Sequence, residues 1–215
     1  MKKLVVFVFM VLCLFCNSII CFAGSKITTE YDEEDNKIYQ EYEQLFGLGS
    51  AGKTDLIADF TYKKNYKFNK NFDVVTKTCK PSDFIFIMFW DYKDELKYMK
   101  NEIVLTELKT GKVISVPVDF NRSPYSDSRG TGYTLSGGLA PRDIPEFVDL
   151  VLSSKPLKIS FKFSVPPAKG VEKYLAFNFE GETLEQVKSV LNYDLYSDPS
   201  QTENIKKAVA AIPAN

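Results

Sequence analysis

The sequence predicts a mainly β (α+β) protein, an antiparallel β-sandwich or open barrel with two or three peripheral helices. About eight short segments alternate apolar and polar residues, as half-buried strands do. Turn-forming residues join two pairs of these segments, so neighbouring strands are expected to pair antiparallel. A few other segments repeat apolar residues every three or four positions, as amphipathic helices do. With 215 residues, of which 45% are hydrophobic, the chain has room for one domain with a sizeable core.

Two β-hairpins are predicted from pairs of neighbouring segments and the turn residues between them. Segments 103–108 and 113–118 flank a turn in which Gly111 supplies the positive φ that a tight hairpin needs. Segments 157–163 and 175–179 alternate in the same way around a turn that contains two prolines and a glycine. The proline near the end of segment 113–118 has no amide hydrogen to donate, which predicts an edge strand or a bulge.

Segment 84–90 is apolar on both faces, which predicts a central buried strand. We expect Phe86 in this strand and Phe161 in the second hairpin to be buried in the core. Shorter strand-like alternation occurs in segments 56–62, 66–68 and 72–74.

Helical spacing predicts a first helix that contains Ile38, Tyr42, Leu45 and Phe46 and ends at Gly47, a natural C-cap. Further helices are predicted from the apolar spacing that follows Pro141, Thr183 and Pro199.

The N-terminus has the pattern of an export signal. Two lysines precede an apolar run, and Ala23 provides the small residue that a signal peptidase needs before the cut. We therefore expect residues 1–23 to be a signal peptide, 24–36 an acidic flexible N-terminus, 37–198 a single β-rich domain, and 199–215 a tail with a short helix. An uncleaved anchor, or a lipid on Cys16 or Cys21, are the alternatives.

Composition excludes several chemistries. The chain contains 0 histidines, so Ser-His-Asp triads, Cys-His nucleophiles and histidine-ligated metals are impossible. After export Cys79 would be the only cysteine, so no internal disulfide is expected, and its role stays open. The formal net charge of -1 does not favour a nucleic-acid partner. We expect no cofactor, no metal, no membrane span in the mature chain, and a bacterial periplasmic or extracellular location.

An octet that begins at Gly47 matches the phosphate-binding P-loop pattern G-x-x-x-x-G-K-[ST], with Gly52, Lys53 and Thr54 at its other defined positions. In a P-loop, Lys53 would reach the phosphates and Thr54 would hold magnesium, and the apolar strand that ends at Asp91 resembles the one that positions the metal. A P-loop follows a strand and precedes a helix, whereas here a helix is predicted before the octet and a strand after it. We expect a linker here.

Residues 121–140 are predicted to form a long loop rich in glycine and serine. All the arginines of the chain lie in or next to it, and two tyrosines lie between them. Arginine and tyrosine are frequent in binding hot spots, and a guanidinium holds a carboxylate or phosphate with two parallel bonds. The loop therefore predicts a binding site for a macromolecule or an anionic surface ligand; the alternative is a mobile hairpin extension. The candidate binding residues are Arg122, Tyr125, Arg129, Tyr133 and Arg142.

Carboxylates are the remaining route to catalysis. Asp91, Asp94 and Glu95 follow the central strand, and Asp119 and Asp127 lie near the long loop. Spacing does not distinguish any pair as general acid and base. The sequence therefore favours an exported envelope binding protein without catalytic residues. A carboxylate-based hydrolase that acts on glycans, and a P-loop-like nucleotide binder, are the alternatives.

The C-terminal half has one family resemblance. A helix that ends at Leu152, two alternating strands and a helix that opens at Gly181-x-Thr183-Leu184 resemble small exported sandwich proteins of the invasion-associated locus B type of Gram-negative bacteria. The resemblance implies an exported sandwich fold, although the cysteines expected in such proteins are missing here.

Overall fold

The computed structural model describes residues 25–47, 56–68, 82–92, 96–128, 130–164 and 172–212. The expected signal peptide lies outside the described residues. So do several residues singled out in the sequence, namely Gly52, Lys53, Thr54, Cys79, Asp94, Glu95 and Arg129.

Ten described strands form two antiparallel sheets. The six-stranded sheet has the order β1-β2-β3-β4-β8-β7, and the four-stranded sheet has the order β10-β9-β5-β6. Strands of the first sheet are β1 Ser25–Asp32, β2 Lys37–Gly47, β3 Leu56–Lys67, β4 Ser82–Asp91, β7 Asn121–Asp127 and β8 Gly130–Leu139. Strands of the second sheet are β5 Met99–Glu107, β6 Val113–Pro117, β9 Leu157–Ser164 and β10 Glu172–Phe179. The predicted antiparallel, sandwich-like α+β class is confirmed, and the sheets are not closed into a barrel.

Three α-helices are described, and each lies in a segment for which a helix was predicted. They are α1 Pro145–Leu152, α2 Gly181–Asn192 and α3 Thr202–Ala210. Short 3-10 turns are Pro141–Asp143, Leu195–Ser197 and Pro199–Gln201. The helix α2 contacts α1 and the adjacent strands β1, β2 and β3, so it packs on one face of the six-stranded sheet and buries Leu184, Val187 and Val190 in the core.

The core contains a dense group of phenylalanine rings. Phe161 is fully buried, and its ring centroid lies 4.9 Å from that of Phe89 and 5.8 Å from that of Phe177. Phe60 packs edge-on against Phe179 at 4.7 Å. Since the first two contacts join β9 to strands of both sheets, these rings hold the sandwich together.

Strand β4 is central, but only one of its faces lies in the core. Ile85, Ile87 and Phe89 are buried. The other face carries Phe84, Phe86, Met88 and Trp90, all half-buried. The burial expected for Phe161 is confirmed, whereas the full burial expected for Phe86 is wrong. A run that is apolar at every position does not reveal how deeply each face is covered.

The helix predicted before Gly47 is wrong, because this segment is the strand β2. Its core-facing side includes Ile38 and Tyr42, both fully buried, and Phe46, which stacks on Phe177 at 4.4 Å. A spacing of four residues fits one face of a helix and also one face of a strand. Pairing with β1 on one side and β3 on the other decided between them.

The flexible N-terminus predicted for residues 24–36 is also wrong over Ser25–Asp32. These residues form β1, which pairs with β2 along its whole length. The turn between the two strands has Asn36 at a φ of 46°, and Lys37 forms an ion pair with Asp32 at 3.2 Å. Acidic residues are typical of mobile segments, but an edge strand with a solvated face accommodates them equally well.

The long loop predicted for residues 121–140 is instead the hairpin of β7 and β8, with β8 inserted between β4 and β7. Both faces of β7 are largely exposed, so its residues do not show the apolar alternation that marks a half-buried strand. The outward side of β8 carries only glycine, threonine and serine between Gly132 and Gly138.

The C-terminal helix packs on the domain. Its residues Ile205 and Ala208 form a second apolar cluster with Ile38, Tyr66 and Leu195. Segment 199–215, predicted as a tail, therefore contributes its helix to the same folded unit.

The end of α2 is held by a buried lysine. The Lys64 ammonium donates to the carbonyl oxygens of Leu191 at 3.0 Å and Tyr193 at 3.1 Å. The Tyr66 hydroxyl also donates to the Tyr193 carbonyl at 3.0 Å. A cation at this position satisfies carbonyl groups that have no partner within the helix. Burial lowers the pKa of Lys64, and the charge of Asp83 opposes this change.

Candidate functional site

A pocket of about 550 Å³ lies at the end of the β7–β8 hairpin, where it meets the end of β4. Its volume is in the range of small-molecule sites. The lining residues are Tyr92, Pro124, Tyr125, Ser126, Thr131, Gly132 and Tyr133. We call it the tyrosine pocket.

Strand register explains why Tyr92, Tyr125 and Gly132 meet on one face of the sheet. Tyr125 on β7 is paired with Gly132 on β8, and Tyr133 on β8 is paired with Asp91 at the end of β4. Tyr92 follows Asp91 directly, so it continues β4 beside Gly132. Because paired residues share a face of the sheet, Tyr92 and Tyr125 stand on either side of Gly132.

Gly132 is required by close contact between backbones. A Cβ atom at this position would lie 2.3 Å from the Asp91 carbonyl oxygen and 2.8 Å from the Tyr92 Cα. Real side chains do not make contacts this short, so a larger residue would push β8 away from β4.

Two phenols of the pocket are held by one carboxylate. Tyr92 donates to Asp127 Oδ2 at 2.9 Å, and Tyr125 donates to the same oxygen at 3.2 Å. Their ring centroids are 6.4 Å apart, with the planes inclined at 67°. Asp127 therefore orients both rings, which are steeply inclined to each other.

The third tyrosine carries an arginine on its ring. The Arg122 guanidinium lies 3.5 Å from the ring centroid of Tyr133, a cation–π contact between neighbouring strands. This places three of the five predicted binding residues, Arg122, Tyr125 and Tyr133, on one hairpin.

The described arginines do not form one anion site. Arg142 lies in the 3-10 turn after β8, where its side chain is 87% exposed and 3.8 Å from Asp143. Arg122 is paired with Leu135, and β8 continues to Leu139, about 14 Å further on at the usual strand rise. Arg129 lies outside the described residues.

Sequence reasoning did not include Tyr92, Gly132 or Asp127 among the binding residues. Tyr92 directly follows the apolar strand β4. Side chains at strand ends often line binding sites, so this position is the signal that could have identified it. The sequence identifies Asp127 only as a possible catalytic acid. Their convergence depends on the pairing of β4 with β8, which the sequence pattern does not show.

The candidate catalytic acids that are described have separate structural roles. Asp91 is buried, and its Oδ2 accepts from the Leu96 amide at 2.7 Å, which ties the end of β4 to the residues that precede β5. Asp119 is exposed and accepts from the Asn101 side chain at 3.4 Å. Asp127 orients the tyrosines. Among the described residues, no group of three or more cysteine and acidic side chains is arranged to hold a metal ion.

The strands around the P-loop-like octet are those of a hairpin. β2 ends at Gly47, β3 begins at Leu56, and Gly47 is paired with Ile57 in an antiparallel ladder. A P-loop needs a helix where β3 begins. The strand predicted after the octet is confirmed, and the flanks do not provide the strand–loop–helix unit of a nucleotide site.

Comparisons with known proteins add little to this geometry. No family model matches the sequence, and no curated protein matches it. One solved structure, a DUF4426 family protein from Pseudomonas aeruginosa, is 12% identical and covers 71% of this chain and 93% of its own, with a TM-score of 0.19. A similarity at that level assigns neither fold nor function. None of the helices in the described parts of the chain is long and apolar enough to cross a membrane.

Proposed function

We propose that this protein is an exported, non-catalytic binding module of the bacterial envelope, which captures its ligand with the β7–β8 hairpin. The tyrosine pocket is the observation that carries this proposal. It combines a volume of about 550 Å³ with three tyrosines at one end of the sheet. Tyrosine provides large apolar area and a polar group at a low entropic cost, which suits a binding surface.

The position of the pocket favours a ligand-binding role for its residues over a role in stabilising the fold. The hairpin projects with both faces of β7 largely exposed, so its aromatic rings do little for the core. Asp127 nonetheless holds two of these rings in fixed orientations. Side chains that are ordered before a ligand arrives lose less entropy on binding.

Binding is tested by co-sedimentation of the purified mature protein with an isolated envelope fraction of the producing bacterium. We expect the wild-type protein to sediment with the envelopes and Tyr125→Ala to remain in solution. Deletion of the hairpin is unsuitable, because β8 pairs with the central strand β4 and its loss would disrupt the sheet.

The matched control is Tyr174→Ala. Tyr174 is a tyrosine on the edge strand β10 of the other sheet and is 55% exposed. The control variant should sediment like the wild type. Equal sedimentation of all three proteins, with each one folded, would refute the role of the hairpin.

Export rests on the predicted signal peptide and has its own test. Sequencing of the N-terminus of protein recovered from outside the cytoplasm should begin at Gly24. A lipid-modified Cys21, or recovery of the full chain in the cytoplasm, would contradict this part of the proposal.

A further inference from the structure

The outward face of the six-stranded sheet carries a row of large apolar side chains along its central strand β4. They are half-buried and belong to Phe84, Phe86, Met88 and Trp90. On the inward face of the same strand, the ring centroid of Phe89 lies 4.9 Å from that of Phe161. Among the described residues, by contrast, no ring contact involves an outward ring of this row. The helices α1, α2 and α3 bury their apolar residues on the inward face, so they leave the row uncovered.

Small side chains beside this row leave a depression on the same face. The residues of β8 that are paired with Trp90, Met88 and Phe86 are Thr134, Ser136 and Gly138. Because paired residues share a face of the sheet, the large side chains of β4 stand next to this line of small ones. The row is about 20 Å long from Phe84 to Trp90 at the usual strand rise, which is the length of about six residues of an extended peptide.

A buried carboxylate lies on the other side of the row. Asp59 on β3 is paired with Met88, so its side chain is on the outward face, and it is only 7% exposed. The Thr61 hydroxyl donates to Asp59 Oδ1 at 3.2 Å. Within the described parts of the chain, neither carboxylate oxygen has an ion-pair partner. Burial and the negative charges of Glu43 and Glu41 raise the pKa of Asp59.

The ionised form of Asp59 therefore lacks a compensating cation. Lys63, on the same strand and the same face, forms an ion pair with Glu41 at 2.7 Å instead. Buried charges are normally paired, so a carboxylate with one long hydrogen bond is a candidate for pairing with a ligand. Phe86 and Trp90 are its diagonal neighbours on β4, within reach of a long side chain. Aromatic rings beside a carboxylate favour an ammonium or guanidinium group.

Charge also distinguishes between the possible occupants of this face. A second copy packed on the same patch would bring its own Asp59 and Glu43, so like charges would meet across the two-fold axis. An anionic lipid surface would be repelled in the same way. A peptide segment with a basic residue complements the charge of the face, and its extended form matches the length of the depression.

We propose that the outward face of the six-stranded sheet binds an extended peptide segment of a partner protein, which presents an arginine or lysine between apolar residues. The segment lies along β8, with its apolar side chains against Phe86, Met88 and Trp90. Its cation reaches over Met88 and pairs with Asp59, since β8 and β3 are only about 10 Å apart. This site is separate from the tip of the β7–β8 hairpin, so it does not depend on the proposed function.

The test is a selection from a phage-displayed library of random heptapeptides on the mature protein at neutral pH. We expect the enriched sequences to contain an arginine or lysine flanked by apolar residues. Synthetic peptides with these sequences, chosen without tryptophan, are then titrated while the fluorescence of Trp90, the single tryptophan, reports binding. Replacing the arginine by citrulline, or the lysine by acetyl-lysine, should weaken binding about ten-fold or more. A library without binders, or binders that show no preference for basic residues, would overturn the proposal.

Variants connect the binding to this face. Asp59→Asn removes the charge without removing the shape and should weaken binding about ten-fold or more. Ser136→Tyr fills the depression from β8 and should have a similar effect. Asp119→Asn, at an exposed carboxyl group, is the control and should leave the affinity unchanged. If either Asp59→Asn or Ser136→Tyr is folded and binds the peptides like the wild type, the proposal is wrong.

Two further measurements test the other occupants. Ser136→Tyr should change neither the mass found by sedimentation equilibrium nor the flotation of the protein with vesicles of phosphatidylcholine and phosphatidylglycerol. A dimer that this variant dissociates would assign the face to a second copy of the chain. Vesicle binding that the variant abolishes would assign it to lipid. Either result would overturn the peptide proposal.

Discussion

The carboxyl group of Asp59 should make the protein less stable at neutral pH than at pH 4. Asp59 lies on β3 with its side chain on the face opposite Phe60, and it is only 7% exposed. Its neighbours in the ladder are Leu45 and Met88, and the Thr61 hydroxyl donates to its carboxylate at 3.2 Å. Burial, together with the negative charge of Glu43, raises the pKa of Asp59 to about 6.

The sign follows from proton binding. The ordinary pKa of this carboxyl group is 3.8. Between about pH 4 and pH 6 the folded protein keeps a proton that the unfolded chain has lost, so the folded state loses stability as the pH rises. The difference between a pKa of 3.8 and one of about 6 corresponds to a loss of about 2–3 kcal/mol of folding stability, which is present in full above pH 6 and absent below pH 4. An asparagine at this position would remain neutral at every pH and avoid this cost.

We therefore expect Asp59→Asn to raise the free energy of unfolding by about 2 kcal/mol at pH 7.5 and to leave it nearly unchanged at pH 4. Urea denaturation followed by fluorescence of Trp90, the single tryptophan, measures both values. Asp119→Asn, at an exposed carboxyl group, is the control and should change stability by less than about 0.5 kcal/mol at either pH. A gain from Asp59→Asn that is equal at both pH values, or no gain at all, would refute the reasoning.

Packing, helix termination and the P-loop-like octet each give a further prediction. Phe161→Ala should cost about 3–5 kcal/mol in urea denaturation and Phe86→Ala less than half of that, because only the first ring is fully buried; equal losses would contradict the two faces assigned to β4. Lys64→Met should cost about 2 kcal/mol, since it leaves the Leu191 carbonyl at the end of α2 without its donor and removes one of the two donors to the Tyr193 carbonyl, whereas Lys26→Met at an exposed site should change little. Lys53→Ala should leave thermal stability unchanged, and calorimetry should detect no ATP binding that depends on Lys53. Micromolar ATP binding by the wild-type protein that this variant abolishes would restore the nucleotide-binding alternative.

Local features of the fold could be predicted because their causes are local. The hairpin of β5 and β6 depends on Gly111, which has a φ of 71° and donates its amide to the Glu107 carbonyl at 2.9 Å. The proline at the end of β6 predicted an edge strand, and β6 is at the edge of its sheet. The strands of the second hairpin, β9 and β10, pair antiparallel as expected.

The errors occurred where distant parts of the chain determine the structure. Ile38, Tyr42 and Phe46 are four residues apart, a spacing that strand and helix share, and pairing with β1 and β3 made the segment a strand. The sequence of β8 is typical of a loop, because its outward residues are small and polar. It is a strand because β4, far away in the sequence, provides its hydrogen-bonding partner.

The amino-acid sequence by itself determined which chemistry this protein lacks and which residue types its hairpin carries. A chain with 0 histidines has no imidazole in any conformation, and the tyrosines and arginines of residues 121–140 are in the chain whatever its fold. Only the tertiary structure decided which of them work together. Pairing of β8 with β4 brought Tyr92 to Tyr125 across Gly132, and it left Arg142 at the other end of β8. The physical reason is that a site depends on distances between strands, which long-range pairing sets and local sequence patterns do not encode.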